Sequence, residues 1–413
     1  MKSVITLYKN AFGGLSPAAW MLALVILINR SGTMVIPFLS VYLTSSLGFS
    51  LVETGWIMSM FGLGAIGGSF LGGWLTDKIG PFKVQLISLL GGGLMFLALS
   101  QVTSFYPLAG FIFFVSLVSE MLRPANQIAV SYYAKPENVT RAFSLNRMAI
   151  NLGFSFGPAL GGLLAAVSYQ WLFIADAITC AGAGLIFFLY FYGKQGKEKE
   201  PLPDTNTALI PDKSVWSDGL FLGFILLVIC FSTMFFQLFS TWPIYHRQVY
   251  QLPEQEIGLL LGLNGLIVFL FEMVLVYKIG DRFPIRRLIA FGCFLMALAF
   301  LALFGMESKA ALYLACIFIS FAEIFAMPFM ATYTVQRSGK RNRGAYMGLY
   351  SVAFASAFVL APLIGTNLVD ALGFQNWWLI AGVFALATGF LFYWILSEKR
   401  GVNHLEVRKN AAA

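Results

Sequence analysis

Charge is scarce along this chain of 413 residues: only 11% are Asp, Glu, Lys or Arg, whereas 59% are hydrophobic and 16% are aromatic. A soluble domain averages about 25% charged and about 45–50% apolar residues. Phe alone occurs 41 times, more than a soluble core with so few polar residues could hide. The composition therefore excludes an ordinary water-soluble fold and indicates an integral membrane protein.

Side chains for chemistry are equally few. The chain has two His and four Cys, which form neither a nucleophile–base set nor a metal-ligand spacing. A phosphate-binding Gly-Lys-Ser/Thr sequence is also absent, and such a loop is what an ATP-driven pump would need. We therefore expect no enzyme, no cofactor, no metal site and no ATP-driven pump.

Twelve apolar runs follow one another with short connections, and each is long enough to cross a bilayer, which takes about 20 residues. Runs of this length favour helices over the shorter alternating strands of a membrane barrel. We predict an all-α integral membrane fold with twelve transmembrane helices in two six-helix, pseudo-symmetric halves. No signal-peptide cleavage site precedes the first run, so we expect that run to be retained. The predicted spans are 18–44, 51–76, 84–104, 106–131, 142–167, 170–193, 219–246, 255–278, 287–306, 309–334, 344–369 and 374–396.

A polar stretch with several prolines separates the sixth and seventh runs. We interpret it as the linker between the two halves. The expected organisation is an N-terminal half at 1–193, a cytoplasmic linker at 194–217, a C-terminal half at 218–398 and a cytoplasmic tail at 399–413.

The basic residues fall mostly on one side of the predicted membrane. If both termini are cytoplasmic, all Lys and Arg lie in inner segments except Arg30, Arg123, Arg147, Arg247 and Lys309. Positive charge collects in cytoplasmic loops, so we expect a multi-pass protein of the cell membrane with both termini cytoplasmic. The net charge of +8 then reports topology, and we expect no nucleic-acid partner.

The two halves carry matching residues at a nearly constant offset of 203 or 204 positions. This offset indicates a duplication with both copies in the same orientation, an arrangement that places substrate near mid-membrane between the repeats. The matching pairs include Asp77 and Asp281, Lys83 and Arg287, Pro124 and Pro328, Pro158 and Pro362, and Glu120 and Glu323.

The turn Gly73-Trp-Leu-Thr-Asp-Lys-Ile-Gly-Pro-Phe-Lys83 is similar to the loop signature of the major facilitator superfamily. With twelve spans and a mid-chain linker, the chain resembles that family over nearly its whole length. We expect residues 77–83 to form the connector between the second and third spans. The resemblance implies a cytoplasmic latch in the outward-facing state, and the alternative is a turn that only fixes topology. The latch residues are Gly73, Asp77, Lys78, Gly80 and Lys83, with Asp281 and Arg282 from the second copy; Pro81 and Phe82 depart from the signature.

The fifth span carries small residues on one face. Gly153, Gly157 and Gly161 are four apart, so they let a partner helix approach closely, and Pro158 bends the span. Ordinary packing is one interpretation. The Gly-Pro-x-x-Gly-Gly pattern that ends at Gly162 also resembles the signature of the superfamily's drug:proton antiporters, which implies export.

Ionisable side chains at membrane depth each cost roughly 2.5–3.5 kcal/mol at the centre of a span, so they usually mark a pathway. Five stand out: Arg30, Glu120, Arg123, Asp176 and Glu323. The alternative is a self-neutralised structural cluster. Glu120 and Arg123 are three apart and can pair, so we expect Glu120 to stay ionised.

Glu323 has no basic neighbour in the sequence, which makes it the better candidate for a proton site. Asp176 fits either a pathway group or a packing hydrogen bond. Arg123 sits where the superfamily's antiporters carry a functional Arg, although Asn126-Gln127 replaces the Gln-Gly that follows it in that motif. We expect His246, at the outer end of the seventh span, to be interfacial, with gating as the lesser alternative.

These features together predict a proton-coupled secondary transporter that works by alternating access and exports amphipathic small molecules. Arg30, Arg123 and Glu323 also partly resemble residues of the proton-coupled oligopeptide transporters, which implies uptake of peptides or other zwitterions as the alternative. A channel or receptor is the alternative from another class. The expected partners are a small-molecule substrate, protons and the lipid bilayer, with the protein a monomer.

Overall fold

The computed structural model describes residues 14–134, 139–194, 214–279, 282–306, 308–338 and 343–397, and within these ranges the chain forms helices and no strands. The helices are Pro17–Ser31, Val35–Val41 with a π-helical turn Tyr42–Ser46, Leu51–Ile79, Pro81–Leu99, Phe105–Glu120, Leu122–Tyr133, Val139–Val167, Gln170–Phe191, Gly219–Phe235, Thr241–Gln248, Glu254–Ile279, Ile285–Gly305, Lys309–Arg337 and Arg343–Ile395, with short 3₁₀ turns at Val215–Ser217 and Phe236–Phe239.

Eleven helical stretches of the described chain are long and apolar enough to cross a membrane, judged by length and composition. The last of them, Ala345–Ile395, has 51 residues. At 1.5 Å per residue it measures about 75 Å, more than twice a hydrocarbon core of about 30 Å. Gly373 interrupts it with a φ of 80°, a conformation that glycine adopts without strain. The stretch therefore provides two spans, and the predicted fold of twelve transmembrane helices is confirmed.

The predicted connector at 77–83 is wrong. The second span continues through Asp77 and Lys78 to Ile79, and the third begins at Pro81, so Gly80 alone connects them. Its φ of 82° suits glycine, and Pro81 occupies the first helical position, where its missing N–H costs nothing. Because of this one-residue turn, Asp77 lies in the last turn of a helix.

The first span is broken in its middle. Its inner helix ends at Ser31, and a new helix begins at Val35. A break inside a bilayer leaves backbone N–H groups that water cannot satisfy. Here the Asp176 carboxylate accepts from the backbone N–H of Met34 at 2.9 Å and of Val35 at 3.2 Å.

Two other spans are interrupted as well. In the seventh, a 3₁₀ turn at Phe236–Phe239 separates Gly219–Phe235 from Thr241–Gln248. The fourth is interrupted at Met121, three residues before Pro124. Since proline has no N–H for the carbonyl four residues earlier, the carbonyl of Glu120 loses its helical partner at that point.

The described chain packs into two compact units. The first takes its described residues from the ranges 1–204, 238–269 and 362–367, and the second takes its described residues from 205–237, 270–361 and 368–413. The first unit therefore includes the outer parts of the seventh and eighth spans as well as the six helices of the first half. The halves expected from the duplication are defined by the repeated helices. The two units are defined by packing, so their boundaries differ from those of the halves.

We predict that Gly32→Ala lowers the unfolding temperature of the detergent-solubilised protein. A Cβ at position 32 would overlap the Thr179 side chain, whose Oγ1 is held by a 2.8 Å bond to the Ala175 carbonyl. Overpacking of this kind costs about 1–3 kcal/mol.

Gly182→Ala is the matched control. Gly182 lies on the sixth span, which also carries Thr179, and a Cβ there meets nothing within 4 Å. Adding Thr179→Ala to Gly32→Ala should restore part of the loss. Equal unfolding temperatures for Gly32→Ala and Gly182→Ala would contradict this account of the break.

Candidate functional site

Three of the predicted pathway residues form one ionic cluster in the first unit. The Arg123 Nη2 lies 3.1 Å from Glu120 Oε2, and the Arg30 Nη1 lies 3.9 Å from Glu120 Oε1. The side chain of Glu120 is 9% exposed and that of Arg30 is 14% exposed, whereas that of Arg123 is 48% exposed. The three-residue spacing on the fourth span does produce the expected pair, and Arg30 joins it from the first span.

The cluster is not neutral. One carboxylate serves two guanidinium groups, which leaves a formal charge of +1. The Nε of Arg30 is buried and has no hydrogen-bond partner among the described residues. Arg123, half exposed, is the member of the cluster that a solute can reach. The arrangement can therefore attract an acidic group, while Glu120 holds both arginines in place.

Asn126 lies three residues after Arg123 on the same helix and forms a buried polar contact. Its Nδ2 donates to Asn146 Oδ1 on the fifth span at 3.2 Å, and both residues are buried. The Oδ1 of Asn126 is buried and has no partner among the described residues, so its capacity to accept a hydrogen bond is unused in this conformation.

The glycine face of the fifth span contacts the break in the first span. A Cβ at Gly157 would lie 2.9 Å from the Thr33 carbonyl oxygen, and one at Gly161 would lie 3.1 Å from Met34 Cβ. Gly153 lies against Arg30 itself. Because these glycines lack side chains, the backbone that carries Arg30 comes close to the fifth span, so the packing motif positions the ionic cluster.

Gly162, the last residue of that motif, faces the eighth span instead. A Cβ there would lie 2.6 Å from the Glu254 carbonyl oxygen and 3.1 Å from Gly258 Cα. Between these glycine positions, Pro158 lies inside the helix Val139–Val167. The fifth span thus uses two faces, one for each partner helix.

Asp176 does not act as a solvent-facing pathway group in this structure. It is 2% exposed, and both carboxylate oxygens accept backbone N–H groups at the break of the first span. Of the two alternatives that the sequence leaves open, the geometry shows the packing hydrogen bond. Glu323, on the tenth span, belongs to the second unit and is half buried.

The latch residues lie at the ends of the second and third spans. Asp77, Lys78 and Lys83 are exposed, and Gly73 and Gly80 are half buried. The Lys78 Nζ lies 3.9 Å from the centroid of the Trp74 ring. Arg282 is exposed, and Asp281 lies outside the described residues.

A second ionic site, in the second unit, was missed in the sequence. Arg337 donates to both oxygens of Asp218 at 2.8 and 2.9 Å, and the Tyr346 hydroxyl donates to the same carboxylate at 3.0 Å. Burial alone would raise the pKa of Asp218. The hydrogen bonds from Arg337, the Phe221 N–H and the Tyr346 hydroxyl, together with the charge of Arg337, outweigh burial and hold that pKa below its usual value. An Asp directly before an apolar run is a helix N-cap signal, and Asp218 does accept from the Phe221 N–H.

A third polar cluster lies at the predicted outer side of the first unit. The Tyr169 hydroxyl donates to Glu254 Oε1 at 2.9 Å, and the Arg247 Nη2 lies 3.5 Å from the same oxygen. Burial and the neighbouring Glu254 carboxylate raise the pKa of Tyr169, so this phenol stays a donor. It joins the loop before the sixth span to the start of the eighth.

Comparison with known proteins decides the family. The profile of the Major Facilitator Superfamily matches residues 20–358 and 310–412, which is most of the chain. The chain belongs to the Major Facilitator Superfamily. Its members among the relatives are transporters and not enzymes, as expected from the sequence.

Within the superfamily, a Na(+), Li(+), K(+)/H(+) antiporter of Planococcus maritimus is 24% identical over 92% of this chain and 96% of that protein. The multidrug resistance protein MdtG of Salmonella schwarzengrund is 31% identical over 34% of this chain and 33% of its own length. A crystal structure of a POT family transporter in complex with 5-aminolevulinic acid superimposes with a TM-score of 0.79 at 18% identity, over 94% of this chain and 98% of that one. This chain is therefore a multi-pass membrane transporter of small molecules.

We predict that Glu120→Gln strongly destabilises the protein, because it leaves two arginines without a counter-charge. Removing one partner of a buried ion pair costs about 3–5 kcal/mol. Arg123→Gln should cost less, since Arg123 is half exposed. Thermal unfolding in detergent measures both changes.

The same replacement at Glu53 is the control. Glu53 is half buried and forms a capping box with Ser50 at the start of the second span, where Gln also serves, so the unfolding temperature should change little. If Glu120→Gln unfolded at the same temperature as Glu53→Gln, the ionic cluster would not contribute to the stability of the fold.

Proposed function

We propose that this transporter is a proton-coupled secondary carrier that works by alternating access and exports amphipathic small molecules. The observation that carries the proposal is the Arg30–Glu120–Arg123 cluster on two spans. Charged groups at membrane depth are expensive and usually line a substrate or ion pathway. Arg30, Arg123 and Asn126 are the residues we assign to the substrate and proton pathway, together with Glu323 of the second half.

Contacts inside the first unit support alternating access. The Ser155 hydroxyl donates to the Gly262 carbonyl at 3.2 Å, and Gly258 faces Gly162 across the same pair of helices. Small residues let the fifth and eighth spans touch at their backbones. Because these spans come from different halves, a path that opens to the predicted outer side has to separate them.

Glu323 is our candidate for the coupling proton. Glu120 lies between two arginines and is stabilised in its ionised form, so it is poorly suited to pick up and release protons. Glu323 stands at the corresponding position of the second half. The related antiporter of Planococcus maritimus, whose name states exchange of cations for protons, supports coupling to protons.

Two observations support export of amphipathic molecules. One is the glycine motif of the fifth span, which resembles that of drug:proton antiporters. The other is the local similarity to the multidrug resistance protein MdtG. The competing candidate, uptake of peptides or other zwitterions, is favoured by the excess positive charge of the cluster and by the similarity in fold to the POT family transporter.

We also propose that Asp77 acts as the cytoplasmic latch. A carboxylate in the last turn of a helix opposes the helix dipole, so its place there favours a role outside its own helix. The proposal includes the cell membrane as location, cytoplasmic termini and a monomeric carrier whose six-helix halves are joined by the linker at 194–217.

We predict that Glu323→Gln abolishes proton-driven accumulation in proteoliposomes while substrate exchange without a gradient continues. A glutamine cannot carry a proton but keeps the shape and hydrogen bonding of the acid. The control is Glu272→Gln, a buried acid of the eighth span, which should keep proton-driven transport. Full retention of driven transport in Glu323→Gln would remove Glu323 from the proton pathway.

We further predict that the purified protein prefers anionic over cationic amphiphiles. The anionic dye fluorescein and the cationic dye rhodamine 123 share a similar ring system, and a bound ligand raises the unfolding temperature by mass action. Fluorescein should give the larger rise, and Arg123→Gln should reduce the difference. A larger rise with rhodamine 123, unchanged in Arg123→Gln, would contradict a role for this cluster in binding.

A further inference from the structure

The outer part of the seventh span encloses a histidine that the proposed pathway does not use. His246 lies in the helix Thr241–Gln248 and is 1% exposed. Its expected interfacial position is therefore wrong. Neither Nδ1 nor Nε2 has a hydrogen-bond partner among the described residues, although buried polar groups are nearly always paired.

The surroundings of this ring are aromatic and aliphatic. The ring centroid of Trp242 lies 6.1 Å away and that of Tyr245 lies 6.4 Å away. The His246 carbonyl accepts from the Leu252 N–H at 3.1 Å, which ties the backbone to the following loop.

Among the described residues, no acidic side chain is bonded to the His246 ring. The helix packs against Val35–Val41 of the first span, whose sequence contains no ionisable residue. Its own helix carries the phenol of Tyr245 and the guanidinium of Arg247. The nearby acid, Glu254, is bonded to Arg247 and Tyr169.

A proton on the enclosed ring would therefore create a buried cation beside Arg247. Burying a charge without a partner is costly. The packed outer side accommodates a neutral imidazole, whereas a charged imidazole is stable only where the ring reaches water.

We propose that His246 is a proton-binding site on the outer segment of the seventh span, whose occupation from outside holds the outer side open. The inference rests on the proposed alternating access but not on proton-driven transport. His is the side chain whose charge ordinarily changes between pH 5 and 8. The chain contains one other His, His404, so the possible sources of a response in that pH range are these two imidazoles and Glu323, the proposed coupling acid.

The test measures conformation and not transport. Spin labels at Val167 and Val249, both exposed at the predicted outer side, replace these residues in a variant whose four native Cys are changed to Ser. Pulsed electron paramagnetic resonance in nanodiscs gives the distance distribution between pH 5 and 8. The population with the long distance should grow as pH falls. Because one proton is bound, the ratio of the long-distance to the short-distance population should change by at most tenfold per pH unit.

Three variants identify the residue that causes the pH response. His246→Gln should abolish it, and His246→Phe, which keeps an apolar ring in the same space, should keep the short distance at every pH. His404→Gln is the matched control and should respond as the parent does.

A parent protein without any pH response would overturn the proposal. So would a response that persists in both His246 variants, or one that disappears only in Glu254→Gln, which would assign it to the Tyr169–Glu254–Arg247 cluster. The same measurement in Glu323→Gln should keep the response, which separates protonation of His246 from protonation of the proposed coupling acid.

Discussion

The carboxylate of Glu120 between Arg30 and Arg123 is the interaction on which the first unit depends. It joins the first and fourth spans, and it makes two cations tolerable in a region where each alone would be expensive. The glycine face of the fifth span helps to position this cluster, since Gly153 and Gly157 contact the backbone at Arg30 and Thr33. Asp176 completes it from the sixth span by capping the helix that starts after the break. The ionic cluster and the packing motif are therefore parts of one arrangement.

The two halves contain a corresponding helix–helix contact, but its chemistry differs between them. In the first unit, Ser16 caps the first span and its hydroxyl donates to the Tyr133 carbonyl at 2.7 Å. In the second unit, Asp218 caps the seventh span and binds the Arg337 guanidinium. Tyr133 and Arg337 are 204 positions apart. In each half this contact connects the start of the first helix to the end of the fourth. It is neutral in the first copy and ionic in the second.

The sequence predicts well whatever depends on composition and local spacing. Run length gives the spans, i,i+3 spacing gives the Glu120–Arg123 pair, and the four-residue glycine spacing gives a close helix contact. It fails where distant residues decide the outcome. Ser31-Gly32 is a local turn signal at the break in the first span, but the sequence does not show what satisfies the break, because the carboxylate that does so lies on the sixth span. The connector at Asp77 is shorter than predicted because the charged residues do not end the helix; Gly80, with its positive φ, does. Enclosure of His246 comes from tertiary packing and leaves no local pattern.

The proposed carrier exposes one site alternately to the two sides of the membrane. Solute counterflow in proteoliposomes tests this most directly. Vesicles are loaded with a high concentration of an unlabelled ligand found by thermal shift, and a trace of the labelled ligand is added outside with no ion gradient. An alternating-access carrier predicts a transient accumulation of label inside above the outside concentration. Label that only equilibrates, at a rate independent of the ligand inside, would contradict a carrier and indicate a channel.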